Sequence, residues 1–303
     1  MEVVNVASLL DLNVKKAVAI GFFDSVHLGH QQVIKTAVTY AKEFSQKSVV
    51  ITFDKSPKEA LGFTKDTRYI TPTLEKLHIL KEMGVDYILI LKLNQSFLQL
   101  SADEFILKYL QKINASFVSV GFDFRFGAGG ARGADYLVGS GLFKVNVTKV
   151  IELAGAKVST TRIKKCMKKG DLSEINLLIG RPYSISGIVT YGNQLGKEIG
   201  FPTANLKLGA DYMMNLQGVF ATACYIDDQR YVSMTNVGYN PTINLVDDIS
   251  IETHIFDFDG DIYDKWLRLE FIKKIRDEMK FADVEELIKQ LKKDKSAVKK
   301  VSI

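Results

Sequence analysis

The chain of 303 residues has little of what would make it secreted, membrane-spanning or built on a metal cluster. Its two cysteines, Cys166 and Cys224, stand too far apart for a metal-ligand pair or a disulfide framework, which fits a reducing cytoplasm. No stretch approaches the roughly 18–20 apolar residues that span a bilayer. The apolar run near the start is broken by Asp11, Asn13, Lys15 and Lys16 and has no basic leader, so no signal peptide is expected. A Walker A sequence is absent, which argues against P-loop chemistry. The net charge of +5 is mild, and much of it sits in Lys164, Lys165, Lys168, Lys169 and the run KQLKKDKSAVKK. Both runs read as solvated helix faces. Nucleic-acid binding would need a recognisable module or interleaved aromatics, and the sequence has neither, so no nucleic-acid or membrane partner is expected.

What is present is enough apolar residue, 47%, for a sizeable core, and a length that suggests two domains. The first half alternates strands and helices. Residues 17–23 (AVAIGFF), 48–53, 86–93 and 116–120 read as buried strands, and 29–47 and 74–83 carry helical periodicity. Gly84 suits a helix C-terminus. Ser101 with Glu104 three residues on forms a capping box that opens a helix to Ile113. Repeated β-α-β units imply a parallel sheet covered on both faces, a Rossmann-like α/β architecture. After two short helices, 160–169 and 172–178, the pattern changes. Runs at 183–191, 218–226, 230–237, 250–258 and 266–275, separated by turn residues, predict an antiparallel barrel or sandwich, closed by an amphipathic helix over 283–293. The change of class places the boundary near residue 182, giving domains 1–182 and 183–303.

Two segments carry chemistry. The first, GFFDSVHLGHQ (21–31), leaves the first long strand and opens the first helix. Ligands of open parallel sheets bind beyond the carboxyl ends of strands, and a helix N-terminus offers free N–H groups to phosphate. Two of the chain's four histidines, His27 and His30, fall here with Gly29 between them. Two imidazoles aimed at one phosphate can stabilise the charge that develops on it under attack. The second segment is GIVTYGNQLGKEIGFPTAN (187–205). Gly192, Gly196 and Gly200 suit a loop whose backbone N–H groups wrap phosphate. Thr203 and Asn205 alternate about Ala204, so both side chains point to one side of an extended chain, where their oxygens can hold Mg²⁺ against nucleotide phosphates.

With these segments on the page, HxGH at 27–30 resembles the nucleotidyltransferase signature, and GFFDSVHLGHQ resembles the form found in bacterial FAD synthetases. GFDFRFG (121–127) and VSTTRIK (158–164) match that family as well, and GFPTAN (200–205) resembles the riboflavin kinase signature. GVF (218–220), NVGYNPT (236–242), IETHIFDF (251–258) and IRDEMKF (275–281) follow in the family's order, so the resemblance runs from about residue 15 to 295. It implies a bifunctional riboflavin kinase and FMN adenylyltransferase, with ATP and Mg²⁺ at both sites and riboflavin, FMN and FAD as small-molecule partners. By that resemblance His27 and His30 contact the ATP phosphates within a turn that includes Gly21, Phe23, Asp24 and Gly29. Ser159, Thr161 and Lys164 contact the triphosphate, and Asp123 lies on the flavin side. Glu252 is implied as the general base that deprotonates the riboflavin 5′-hydroxyl, with Arg276 and Phe281 beside the flavin.

The bland alternatives are a turn residue for Asp123 and an exposed strand carboxylate for Glu252, and His254 is expected to be structural. The family pattern is broken at four positions. Ser25 stands for the usual Gly, Ser56 for the commonest His of an FxPHP turn, Lys164 for Arg, and Asn240 for a frequent Arg. A paralogue retaining mainly the kinase, or a non-catalytic flavin-sensing regulator, are the rival readings. Intact Thr203, Asn205 and Glu252 favour turnover, since a sensor needs no base.

Overall fold

The computed structural model describes residues 1–6, 14–192, 195–239 and 249–302, and the chain folds as two compact units, Met1–Thr160 and Thr161–Ile303. In the first unit, apolar residues on both faces make buried strands of a parallel sheet. Six strands take part: β1 (Glu2–Val4), β2 (Lys16–Ile20), β3 (Lys47–Phe53), β4 (Tyr87–Leu91), β5 (Ala115–Gly121) and β6 (Lys144–Thr148). Their order is β1-β4-β3-β2-β5-β6, and every pairing is parallel. Alternate residues of β2 enter opposite layers. Val18 and Ile20 join the core that holds Phe105 and Leu110, while Ala17 and Ala19 face the helix Leu28–Glu43 through Ile34 and Ala37.

The strands expected from the apolar runs are β2 to β5. The first ends at Ile20 rather than Phe23, because the chain turns at Gly21. Edge strands β1 and β6 are half-exposed and carry no apolar run, which is why periodicity does not reveal them. Ser101 and Glu104 form the expected capping box, but regular α geometry lasts only over Ala102–Phe105 before widening into π-type turns at Ile106–Gln111. β2 has β3 on one side and β5 on the other, so the order of strands reverses at its carboxyl end. Such a switch point opens the crevice in which α/β sheets bind ligands.

The second unit is a closed antiparallel barrel of β7 (Tyr183–Thr190), β8 (Ala204–Leu208), β9 (Gly218–Ile226), β10 (Gln229–Tyr239), β11 (Ile249–Ile255) and β12 (Trp266–Arg276). The order is β7-β8-β11-β10-β9-β12, closed by β12 against β7. The helices Thr160–Lys169 and Leu172–Ile179 precede it. The second compact unit begins at Thr161, ahead of the change of sequence pattern near residue 182, and both helices bond within it. Asn176 donates to the Phe271 carbonyl and accepts from the Tyr183 N–H, each at 2.8 Å, and Asn215 donates to the Lys168 carbonyl at 2.7 Å. The change of sequence pattern marks the start of the strands, whereas packing begins two helices earlier.

Inside the barrel, Thr222, Ser233, Thr235 and Thr253 are buried and bond to one another, with Thr222 Oγ1 2.7 Å from Ser233 Oγ and Thr235 Oγ1 2.9 Å from Thr253 Oγ1. Cys224 lies on the same inner face, and burial pushes its thiol up to about 12, which makes it inert. The closing helix, Val284–Val298, is longer than expected and sends Val298 and Leu291 onto Val219, Ala221, Met234 and Phe256 of the barrel's outer face. It is fastened by an ion pair between the half-buried Arg276 and the buried Asp294. Arg276 Nε and Nη2 both reach Asp294 Oδ2, at 2.9 and 2.8 Å, and Gln290 donates to Asp294 Oδ1 at 2.8 Å. Removing one partner of such a pair strands the other charge, so Asp294→Ala should cost about 3–5 kcal/mol of the second unit's stability. Urea denaturation of the two proteins checks this.

Candidate active sites

The turn after β2 takes a conformation that ordinary residues avoid. Phe23, Ser25 and Val26 have φ of 55°, 70° and 41°. Left-handed backbone costs a non-glycine residue roughly 1–2 kcal/mol, and a β-branched residue such as Val26 rarely adopts it. Ser25 bears this cost at the position where the family has Gly. Neighbouring segments hold the turn in place. Thr52 Oγ1 and the Lys76 ammonium donate to the Phe22 carbonyl at 3.0 and 2.7 Å. Asp24 Oδ1 accepts from the N–H groups of Ile70 and Thr71 at 3.0 and 3.2 Å. The Ser25 hydroxyl and Thr160 Oγ1 donate to the Asp24 carbonyl. The Asp24 carboxylate thus serves the turn itself, a role the motif does not announce.

The turn delivers both histidines to the N-terminus of the 16-residue helix Leu28–Glu43. His27 is its N-cap: Nδ1 accepts from the His30 N–H at 3.2 Å, which leaves Nε2 to carry the ring proton. The two rings stack with centroids 3.6 Å apart, and Phe23, itself buried, meets His30 edge-on at 5.3 Å. Gly21 and Gly29 bracket this turn. Asp123 is largely exposed, with Oδ2 3.4 Å from Lys157 Nζ. Ser159 is the half-buried residue before the helix Thr160–Lys169, on which Thr161 is exposed and Lys164 half-buried. Ser56 is the N-cap of the short helix Pro57–Ala60, accepting from the Glu59 N–H at 3.1 Å.

The second site stands on the outer face of the barrel. Asn205 on β8 pairs across to Glu252 on β11, and Glu252 pairs across to Asn236 on β10. Cross-strand partners share a face, so these three polar side chains lie side by side. Two glycines permit the loop to close on them. A Cβ on Gly192 would fall 2.1 Å from Asn205 Nδ2, and one on Gly196 would fall 2.4 Å from the Phe201 carbonyl oxygen and 3.3 Å from Thr203 Oγ1. Phe201 N–H closes the loop onto the Gly196 carbonyl at 2.7 Å, with Gly200 at φ 78° between them. A cleft of about 230 Å³ is lined by Gly196, Thr203, Asn236, Glu252, His254, Arg276 and Phe281. Arg276 stacks over Phe281 at 5.8 Å, although its guanidinium is already committed to Asp294. Burial lowers the pKa of His254, opposed by its contact with the Pro202 carbonyl and reinforced by the Lys295 ammonium. Lys273, Lys274, Lys292, Lys293 and Lys300 line a separate open groove at the end of the closing helix, where cations suit the helix dipole.

Family models match both halves of the chain. A model for FAD synthetase matches residues 11–162, and a model for riboflavin kinase matches residues 179–302. A bifunctional riboflavin kinase/FMN adenylyltransferase of Listeria monocytogenes is 35% identical, over 93% of this chain and 91% of that protein. This chain belongs to that bifunctional family. The relative of the same description from Bacillus subtilis is 36% identical, over 93% of this chain and 90% of its own. A crystal structure described as a macrolide-efflux protein from Streptococcus pneumoniae covers 99% of both chains with a TM-score of 0.87 and 32% identity. Efflux is said of that protein. Among the described residues of this chain, no helix is long and apolar enough to cross a membrane.

For this family member, the structure brings Thr203, Glu252, Arg276 and Phe281 to one cleft, with Asn205 in register beside Glu252. Asn236 joins them without having been singled out, since only the register shows which residues of β10 flank Glu252. Lys76 was also missed, because a lysine in a helical run reads as surface. The expectation at Asn240 falls outside the described residues. Substituting Gly192 with Ala should displace the Asn205 side chain and lower riboflavin phosphorylation by about 100-fold, as misplacement by 1 Å does. FAD formation from supplied FMN should not change; chromatographic assay of both products checks this. Burial brings the Lys76 ammonium down to about 8, with Asp24 pulling the other way. The unfolded chain therefore binds more protons between about pH 8 and 10.4, and stability rises with pH across that window. Compared with Lys76→Met, wild type should gain up to about 3 kcal/mol there, measured by denaturation of both proteins at a series of pH values.

Proposed function

We infer that the chain makes flavin cofactors in two ATP-dependent steps, phosphorylating riboflavin to FMN and adenylylating FMN to FAD. The observation that carries the first step is the cross-strand row of Asn205, Glu252 and Asn236 beside Thr203 and the glycine loop. Phosphoryl transfer needs positioning and charge neutralisation more than covalent help. Glu252, as base, takes the proton from the riboflavin 5′-hydroxyl while the oxygen attacks the γ-phosphate and ADP leaves. Gly192, Gly196 and Gly200 supply backbone N–H groups to the phosphates. The donor set fits a Mg²⁺ ion: a hydroxyl and an amide oxygen are hard, neutral ligands, and this ion prefers few protein ligands plus substrate phosphates. Thr203 and Asn205 would hold it, and it would neutralise charge on the transferring phosphoryl group. Among the described residues no cluster of His, Cys, Asp or Glu offers another metal site. Arg276 and Phe281 form the flavin side of the cleft.

For the second step, we assign residues 1–182 to adenylyl transfer and 183–303 to the kinase. A phosphate oxygen of FMN attacks the α-phosphate of ATP, the α–β bridging bond breaks, and pyrophosphate leaves. His27 Nε2–H and His30, with the helix N-terminus behind them, stabilise the charge on the phosphate oxygens. Gly21, Phe23, Asp24 and Gly29 shape the turn that presents them. Ser159, Thr161 and Lys164 bind the triphosphate, Lys164 with charge but without the fork that Arg provides. Asp123 takes a polar group of the flavin. The compartment proposed is the cytoplasm, and the small-molecule partners proposed are riboflavin, FMN, FAD and ATP.

Incubation with riboflavin, ATP and Mg²⁺, followed by chromatography, should show FMN and then FAD. His30→Ala should abolish FAD formation and spare FMN formation. Glu252→Ala should abolish FMN formation and spare FAD formation from supplied FMN. Loss of both activities in either variant counts against two independent sites. FMN without FAD in the wild type would reduce the chain to a kinase.

A further inference from the structure

Two residues beyond Glu252 on β11, and on the same outer face, His254 is 5% exposed and lines the same cleft. Its Nδ1 lies 2.9 Å from the Pro202 carbonyl oxygen. A carbonyl only accepts, so Nδ1 carries the proton and donates it. Nε2 then holds the lone pair, and it faces the Lys295 ammonium of the closing helix at 3.3 Å. Phe201 and Phe256 pack against the ring at 5.3 and 5.4 Å, and Lys295 sits 4.9 Å over Phe256. The imidazole is thus held at both nitrogens and by an aromatic ring from each of two segments.

The held partner matters more than the ring. Residues 201–203 lie outside any strand or helix, and Pro202 has no N–H, so its carbonyl is the one backbone group through which it can be fixed by hydrogen bonding. The next residue is Thr203. Phe201 N–H to the Gly196 carbonyl anchors one side of this segment, and His254 anchors the other. We propose that His254 is a positioning residue of the kinase, clamping the Pro202 carbonyl, with Lys295 behind it, so that the Thr203 hydroxyl faces the ATP phosphates and their cation. This rests on the reading of Thr203 and Glu252 as the kinase site.

The test is steady-state riboflavin kinase assay of the full chain, varying ATP and riboflavin in turn. An asparagine amide reaches the position of Nδ1, a glutamine amide that of Nε2, and leucine neither. His254→Leu should raise the KM for ATP about tenfold or more while the KM for riboflavin stays within about twofold, an effect in the range of a misplaced binding group. His254→Asn should recover most of the loss, and Lys295→Met should shift the KM for ATP in the same direction by less. Where the leucine variant does not fold, the comparison of His254→Asn with His254→Gln decides, with Asn expected to be the better. The proposal is overturned if Asn and Gln are equally impaired, if both KM values rise together, or if no variant changes the KM for ATP. Glu252→Gln is run alongside. If it keeps the wild-type kcat, the catalytic reading itself fails, independently of the His254 series.

Discussion

The register of β11 between β8 and β10 is the constraint on which the proposed kinase site depends. Side chains alternate across a strand, so a slip of one residue would exchange the two faces. It would turn Glu252 into the barrel and Thr253 out of it. The inner face resists this by more than apolar burial. Thr235 pairs across to Thr253, Thr222 to Ser233, and the hydroxyls of these four residues bond among themselves. A buried hydroxyl without a partner costs on the order of 1–3 kcal/mol, so a slipped barrel would lose several at once. The same register sets Asn205, Glu252 and Asn236 in a row outside, and the closing helix then covers the neighbouring apolar residues and leaves the cleft open.

The adenylyl-transfer turn solves a different problem. A parallel sheet ends at a switch point, and on the proposed reading its crevice receives a phosphate chain; the loop there bends sharply enough to present two imidazoles at a helix N-terminus. Three residues with positive φ carry that bend, and the anchors are polar: a buried ammonium on the Phe22 carbonyl and a carboxylate across the Ile70 and Thr71 N–H groups. Strain of this sort persists only where surroundings over-determine it, and it places donors before the substrate arrives. Lys76 and Asp24 therefore hold the turn on which the proposed site rests.

Much of this was open to reading along the chain. Period-two and helical patterns locate β2 to β5, five of the six barrel strands and the helices between them, because burial on a face or a stripe leaves a local trace. The family was legible for the same reason: HLGH and GFPTAN hold their motifs within a few consecutive residues, and the family models match both halves. What escaped was carried by distance. β1 and β6 are edge strands, β8 reads as a plain extended segment, and the two helices ahead of the barrel are tied to its unit by bonds of Asn176 and Asn215 to residues far along the chain.

The sequence by itself determined the order of the two domains and the family to which the chain belongs. These rest on contiguous motifs, and contiguity survives without coordinates. Only the tertiary structure decided that Asn236 flanks Glu252, that His254 meets Pro202 and Lys295, that Arg276 is shared with Asp294, and that a buried lysine holds the histidine turn. Each of those facts joins residues that are distant or differently facing in the chain, and a hydrogen bond between such residues leaves no periodic mark for a sequence to display.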